Sequence, residues 1–323
     1  MEIYGSAAEL YAQKKKEKSD IMYFSICAAS AVLGYIILSY AYAYGVRLLG
    51  LRKLVWGSEI ANQSFSLVAT MLAILIPFLF ISKVEKKRTD CDLAPLGAPE
   101  NKLLAFLAVP AGVAVCILAS LIASLIIALF SFSDVTLTQP DLTAPPTGYA
   151  LVIYVLRLTF SAALMEEFCI RGIVMQPLRK HGNVFAAVMS AMVFALMHCN
   201  LIQAPAAFIS GIGIALFTIA TGTMWTGICI HFINNAIVAV TQYLYASGNE
   251  DAGLFVGTTL TYIILAIGLV CLFLFLLIRK KRPLPGGRRS VLTTGERVKA
   301  YLLNPAMIIM IAAVAYVTSG YIE

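Results

Sequence analysis

The stretch LMEEFCIRG, residues 164–172, places two adjacent carboxylates and a guanidinium inside an otherwise apolar run. Glu167 and Arg171 stand four residues apart with the acid first, the order that lets an ion pair form along one helix face. Glu166 lies about 100° further round such a helix and needs a partner from another element. The chain has three histidines. His181, in the polar segment RKHGN, is expected to be solvated, as loop side chains normally are. His198, in VFALMHCN, and His231, in ICIHFINNAIV, fall in apolar surroundings on two separate helices that follow the glutamates. Phe194 precedes His198 by four residues and can pack beside its ring, while Asn235 follows His231 by four and projects from the same face. Asn234, off that face, is assigned to helix packing or hydrogen bonding. A lone buried histidine is usually a satisfied core group, but two of them with an isolated glutamate in a bilayer point to a functional site.

Glu166, His198, His231 and Asn235 together suit one kind of chemistry. A poorly hydrated glutamate takes a proton from water with an imidazole assisting. Histidine and asparagine donate hydrogen bonds to the oxyanion of an acyl-transfer intermediate. The set fits amide hydrolysis by activated water. The sequence holds no nucleophile elbow, P-loop or H-E-x-x-H, which removes the usual serine-hydrolase, nucleotide and zincin readings. Glu166, His198 and His231 also resemble a two-histidine, one-carboxylate zinc set, and Cys169, Cys199 and Cys229 adjoin these residues. Against zinc, Cys169 is about 300° from Glu166 in helical phase, and small cysteines are common in buried helices. No metal or other cofactor is expected, with a zinc ion as the lesser alternative.

The elements that must position these groups are membrane helices. Of 323 residues, 60% are hydrophobic and 13% charged, with a mean hydropathy of +0.86. The expected fold class is all-α, a polytopic transmembrane helical bundle of eight or nine spans at 21–46, 62–82, 104–131, 149–176, 184–199, 205–221, 225–246, 256–278 and 305–322. Two of these, 184–199 and 205–221, are short, and the crossing of 305–322 is the weakest of the set. The chain divides into N-terminal helices and loops (1–148), a helical core carrying the polar residues (149–246), and C-terminal helices with a basic loop (247–323). The stretches 83–102, 133–148 and 279–299 read as aqueous loops, and no internal repeat is present. Only Glu166 and Glu167 of the 17 acidic residues fall within a predicted span. An acid at a span's centre costs about 2.5–3.5 kcal/mol on insertion scales, so a neighbouring pair calls for a reason.

Lys and Arg number 19 in segments 1–20, 83–102, 177–183 and 279–304, against 3 (Arg47, Arg52, Lys53) on the other side. The N-terminus is therefore expected in the cytoplasm, with the first span an uncleaved anchor. The net charge of +7 speaks for contact with anionic lipid headgroups; no nucleic-acid partner is expected. Seven cysteines, mostly within spans and without a C-x-x-C, argue against a disulfide framework. Pro77 and Pro110 are expected to kink their helices, and Gly211 and Gly213 to mark close helix packing. Arg157 is expected to snorkel or to pair inside the bundle.

The three motifs in order carry a resemblance. EEFCIR matches E-E-x-x-x-R at Glu166, Glu167 and Arg171; FALMH matches F-x-x-x-H at Phe194 and His198; HFINN matches H-x-x-x-N at His231 and Asn235. Over roughly 149–246 the chain resembles the CPBP family, the CAAX proteases and bacteriocin-processing enzymes also called the Abi family. The resemblance implies a multipass intramembrane endopeptidase acting on a membrane-associated protein or peptide. It implies that Glu166 and His198 activate water, that His231 and Asn235 form an oxyanion hole, and that Glu167, Arg171 and Phe194 support the site. It further implies metal-independent chemistry and a bacterial plasma membrane. The same family includes members tied to bacteriocin self-immunity, so a non-enzymatic immunity or regulatory module binding another membrane protein is the alternative. A proton-carrying transporter is a third reading, weakened by the lack of repeats and of a second acid for a relay.

Overall fold

The structure, a computed structural model, describes residues 7–130, 132, 135–138, 144–145, 148–280, 284 and 290–322. Parts of the loops read at 133–148 and 279–299 lie outside the described residues. Among the described residues, and apart from the five-residue turn Arg52–Trp56, ten helices carry the fold: α1 (Ala7–Leu48), α2 (Glu59–Glu85), α3 (Lys102–Phe130), α4 (Gly148–His181), α5 (Asn183–Met197), α6 (Ala204–Thr221), α7 (Met224–Ala246), α8 (Glu250–Arg279), α9 (Thr294–Leu302) and α10 (Pro305–Ser319). Seven are long and apolar enough to cross a bilayer, or eight if α9 and α10, bent by 67° at their break, count as one span. The chain is an integral membrane protein with a polytopic helical fold, as its composition requires. Helix α5, with 15 residues, reaches only about 22 Å, short of the ~30 Å hydrocarbon core. It is an internal helix set among longer neighbours.

Two apolar clusters meet at α6. One joins α1, α2, α4, α5, α9 and α10 through residues such as Phe24, Ile170, Met175, Ala187 and Met307, with Ala215 and Ile219 on its α6 side. The other joins α3, α7 and α8 through Ala111, Ile230 and Phe275, with Ile214 and Phe217 on the opposite face of α6. Adjoining helices approach through small residues, because lipid tails supply no hydrophobic drive between them and backbone proximity must do so. A Cβ at Gly213 would stand 2.6 Å from Val115 Cγ1, and one at Gly211 would stand 3.1 Å from Ala191 Cβ. Both glycines therefore hold the close packing expected of them.

Helix α4 is not uniform. Two π-helical turns, Arg157–Ser161 and Phe168–Val174, flank the α-helical Ala162–Glu167. Each wide turn shifts the helical phase of the residues after it, and such turns recur at functional sites. The Arg157 guanidinium resolves its two expected options by lying 5.9 Å from the Tyr154 ring centroid, within cation–π range.

Three loop expectations change. His181 is buried, its Nδ1 3.0 Å from Glu17 Oε1, because α1 begins at Ala7 and its polar first turns cover the end of α4. Glu85, read as a loop residue, occupies the last turn of α2 and is 1% exposed. The segment after α2 is fastened to the core: Leu93 is buried, Met224 N donates to Pro95 O at 2.8 Å, and Trp225 Nε1 donates to Leu96 O at 2.9 Å. Of the first backbone amides of α7, orphaned by helix geometry, Met224 N thus finds a carbonyl in the adjoining strap and Trp225 N is capped by Thr223 Oγ1 of α7's own N-cap.

This strap fixes the residue after Arg171 as well. A Cβ at Gly172 would come 2.3 Å from the Leu93 carbonyl oxygen, a backbone atom that cannot swing aside. Gly172→Ala is expected to lower stability in detergent by about 1–3 kcal/mol through overpacking, read as a fall in the thermal midpoint. Gly45→Ala, in helix α1 with nothing within 4 Å of the added carbon, is expected to leave it unchanged or raise it.

Candidate active site

Helix α4 brings its two carboxylates to different environments. Glu167 is fully buried with Arg171; Arg171 Nη1 stands 3.0 Å from Glu167 Oε1, near enough for an ion pair but off the hydrogen-bond line. Arg171 Nη2 donates to the Gly211 carbonyl on α6 at 3.2 Å, and its guanidinium lies 4.7 Å from the Phe194 ring centroid. Glu167 Oε1 also accepts from His231 Nδ1 at 2.9 Å. The sequence pairing of Glu167 with Arg171 holds, and a second pairing with His231 adds to it. Glu166, turned toward a cavity and 18% exposed at its side chain, places Oε2 3.7 Å from His231 Nε2. The partner expected from another span is therefore His231, seated between both glutamates.

Hydrogen-bond chemistry fixes the tautomers. A carboxylate only accepts, so the His231 bond to Glu167 requires its proton on Nδ1. A carbonyl also only accepts, so His198, whose Nδ1 lies 2.8 Å from the Phe194 oxygen, carries its proton there and leaves Nε2 bare when neutral. That carbonyl is available because α5 tightens at its end. His198 N and Cys199 N donate to Ala195 O and Leu196 O, three residues back, at 3.2 Å each, which releases Phe194 O from the regular four-residue ladder. His198 is thus a helix-terminal residue and not one inside a span reaching 199. Asn200 ends the turn by donating to His198 O at 3.1 Å and capping Gln203 N at 2.8 Å. Cys199 between them takes φ 51°, a left-handed conformation that costs a non-glycine residue free energy.

Phe194 does more than flank His198. Its ring meets His198 edge-on at 4.8 Å and His231 at 5.8 Å between centroids, while Arg171 covers its face. One aromatic ring therefore spaces two imidazoles and a guanidinium. Asn235 Nδ2 donates to the Leu158 carbonyl in the first π-helical turn at 2.9 Å, and its oxygen accepts from Asn234 Nδ2 at 3.3 Å. These two contacts set the amide orientation and leave one N–H of Asn235 uncommitted. Asn234 thereby fills the hydrogen-bonding role expected of it.

Glu166, His198, His231 and Asn235 all line one cavity of about 550 Å³, together with Tyr35 from α1 and Cys116 from α3. Two contributors were missed by sequence reasoning. Tyr35 precedes the motifs by more than a hundred residues and bears no helical-spacing signal to them. Gly227 belongs to none of the three motifs, yet a Cβ there would stand 3.0 Å from Glu167 Oε2 and 2.6 Å from Thr218 Oγ1. The absent side chain leaves room for the carboxylate.

Among the described residues, no three His, Cys, Asp or Glu side chains come together to hold a metal ion. Cys169 is fully buried, Cys229 is exposed, and Cys199 faces a different cavity.

Residues 148–237 match the family model for type II CAAX prenyl endopeptidase Rce1-like proteins. Comparison with curated proteins and with solved structures returned no match.

The buried ion pair makes its own test. Arg171→Met leaves Glu167 charged and short of compensation and is expected to cost about 3–5 kcal/mol, the range for breaking a buried pair from one side. Glu167→Gln/Arg171→Met removes both charges and is expected to recover at least half of that loss, with denaturant titration in detergent as the measure.

Proposed function

We propose that this chain, whose residues 148–237 match the type II CAAX prenyl endopeptidase Rce1-like family, is an intramembrane endopeptidase that uses Glu166, His198, His231 and Asn235. The observation that carries the reading is their convergence on one cavity. Glu166 and the bare Nε2 of His198 are both acceptors, so a water donating one proton to each presents its lone pairs to a peptide carbonyl. As the water oxygen bonds to carbon, its proton passes to Glu166 and negative charge gathers on the carbonyl oxygen. Asn235, with its uncommitted N–H, and His231, through Nε2–H when doubly protonated, donate to that oxygen. Collapse breaks the C–N bond, and the proton held by Glu166 goes to the leaving amine.

None of these steps passes through a metal. The substrate is a membrane-associated protein or peptide with its scissile bond in or beside the bilayer. The chain sits in a bacterial plasma membrane with its N-terminus in the cytoplasm, an orientation supported by the Lys/Arg asymmetry.

The test compares protein termini in membranes and medium from cells bearing wild-type protein and Glu166→Gln at equal abundance. Gln keeps the shape and loses the proton acceptor. A set of termini present with wild type is expected to fall by about 10²–10⁴-fold, the usual contribution of a positioned general base, and Asn235→Leu to lower the same set by about 10²–10³-fold. Purified protein dialysed against a chelator is expected to keep its full rate of cleavage on a peptide bearing the site those termini define. Unchanged termini in Glu166→Gln, with an associated phenotype intact, would move the chain to the immunity or regulatory reading.

A further inference from the structure

Beyond the wall of the catalytic cavity lies a second one of about 340 Å³, and the two share Tyr35, Met197 and His198. Its other walls come from α1 (Ser39, Tyr40), the Cys199 turn, and the chain's last segment (Val317, Tyr321). Apart from Met197, His198 and Cys199, its lining lies outside the residues that match the family model. No Asp, Glu, Lys or Arg side chain lines it. The strained left-handed backbone at Cys199 stands at the junction, where it ends α5, holds His198 in the shared wall and turns the thiol of Cys199 to the far side.

Resting on the endopeptidase reading, we infer that this second cavity is a specificity subsite. It takes a large uncharged side chain, aliphatic or aromatic, of a substrate residue that flanks the scissile bond on the His198 side. A peptide whose carbonyl sits among Glu166, His231 and Asn235 must continue in some direction, and on the His198 side the neighbouring compartment shares Tyr35, Met197 and His198 with the first cavity. Three tyrosines supply rigid apolar surface with a polar edge. A charged side chain would lose its hydration there with nothing of opposite sign to meet it. Ser39, whose hydroxyl is spent on the Tyr35 carbonyl at 2.9 Å, leaves the floor uncharged.

The test uses a membrane-anchored reporter whose six residues around the cleavage site are randomised, cleaved by full-length protein in vesicles and read by sequencing of the products. Wild type is expected to favour Leu, Phe or Tyr over Gly, Ala and charged residues at one fixed position. Ala43→Trp, which fills the cavity from α1, is expected to reverse that preference toward Gly and Ala by at least ~10-fold, leaving the other positions unchanged. Tyr321→Ala, which enlarges it, is expected to shift the same position toward the largest side chains. A profile that is identical in all three proteins overturns the subsite. So does a uniform loss of cleavage in both variants without change of profile, and so does native mass spectrometry that finds a phospholipid displaced by Ala43→Trp while preference is unaltered. Failure of the peptidase reading is separate: it appears as reporter cleavage that Glu166→Gln leaves intact, or as none at all in wild type, and the subsite falls with it.

Discussion

A carboxylate taken wholly out of water cannot stay charged alone, and Glu167 recruits four helices to meet that demand. Its own helix supplies Arg171, α7 supplies His231, and the guanidinium reaches on to the Gly211 carbonyl of α6 and the Phe194 ring of α5. Each partner is then held in turn. The histidine is fixed in tautomer and orientation, the phenylalanine is pinned beneath a cation, and its ring sets the spacing of His198. The residue proposed to do the chemistry, Glu166, is the neighbour of this anchor and takes its direction from it. Desolvation, which makes the arrangement costly, also makes it definite, because in a low dielectric a half-satisfied network is far worse than a complete one.

Backbone geometry supplies what side chains cannot. A π-helical turn in α4 offers the Leu158 carbonyl to Asn235, and the tightened end of α5 offers the Phe194 carbonyl to His198. In both places a carbonyl leaves the regular ladder and is taken up by a site residue, so departures from ideal helix and placement of polar groups are the same event. Glycines then allow the helices near enough for these bonds: Gly227 leaves room for the Glu167 carboxylate, and Gly172 for a loop carbonyl.

Much of this was legible in the residues. Apolar run lengths located the membrane helices, since a bilayer admits few other folds for such a composition, but missed the polar first turns of α1 and the short α9. The four-residue spacings of Glu167 with Arg171 and of Phe194 with His198 were readable because they are local to one helix. His231 bridging both glutamates was half readable: the need for a partner came from the unpaired Glu166, but its second bond to Glu167 depends on how α7 crosses α4. Burial of His181 and Glu85 was hidden because it is imposed by α1, which lies far away in sequence. Tyr35 was invisible for the same reason. The left-handed Cys199 could not be foreseen either, since cysteine has no preference for that conformation and only the His198–Asn200 turn imposes it.

The order of helices along the chain has a bearing on biogenesis. Helix α1 packs against α9 and α10, elements separated from it by some of the longest intervals in the sequence, and Thr138 N bonds to Tyr321 O at 3.0 Å. Contacts of such separation form late because the loop between them must be closed first. During insertion from the ribosome, the four polar residues of α4, α5 and α7 enter the membrane before Val317 and Tyr321 exist. The second compartment beside His198 therefore stays open on its Val317 and Tyr321 side until those residues have been made, so its shape is set later than that of the polar cluster it adjoins.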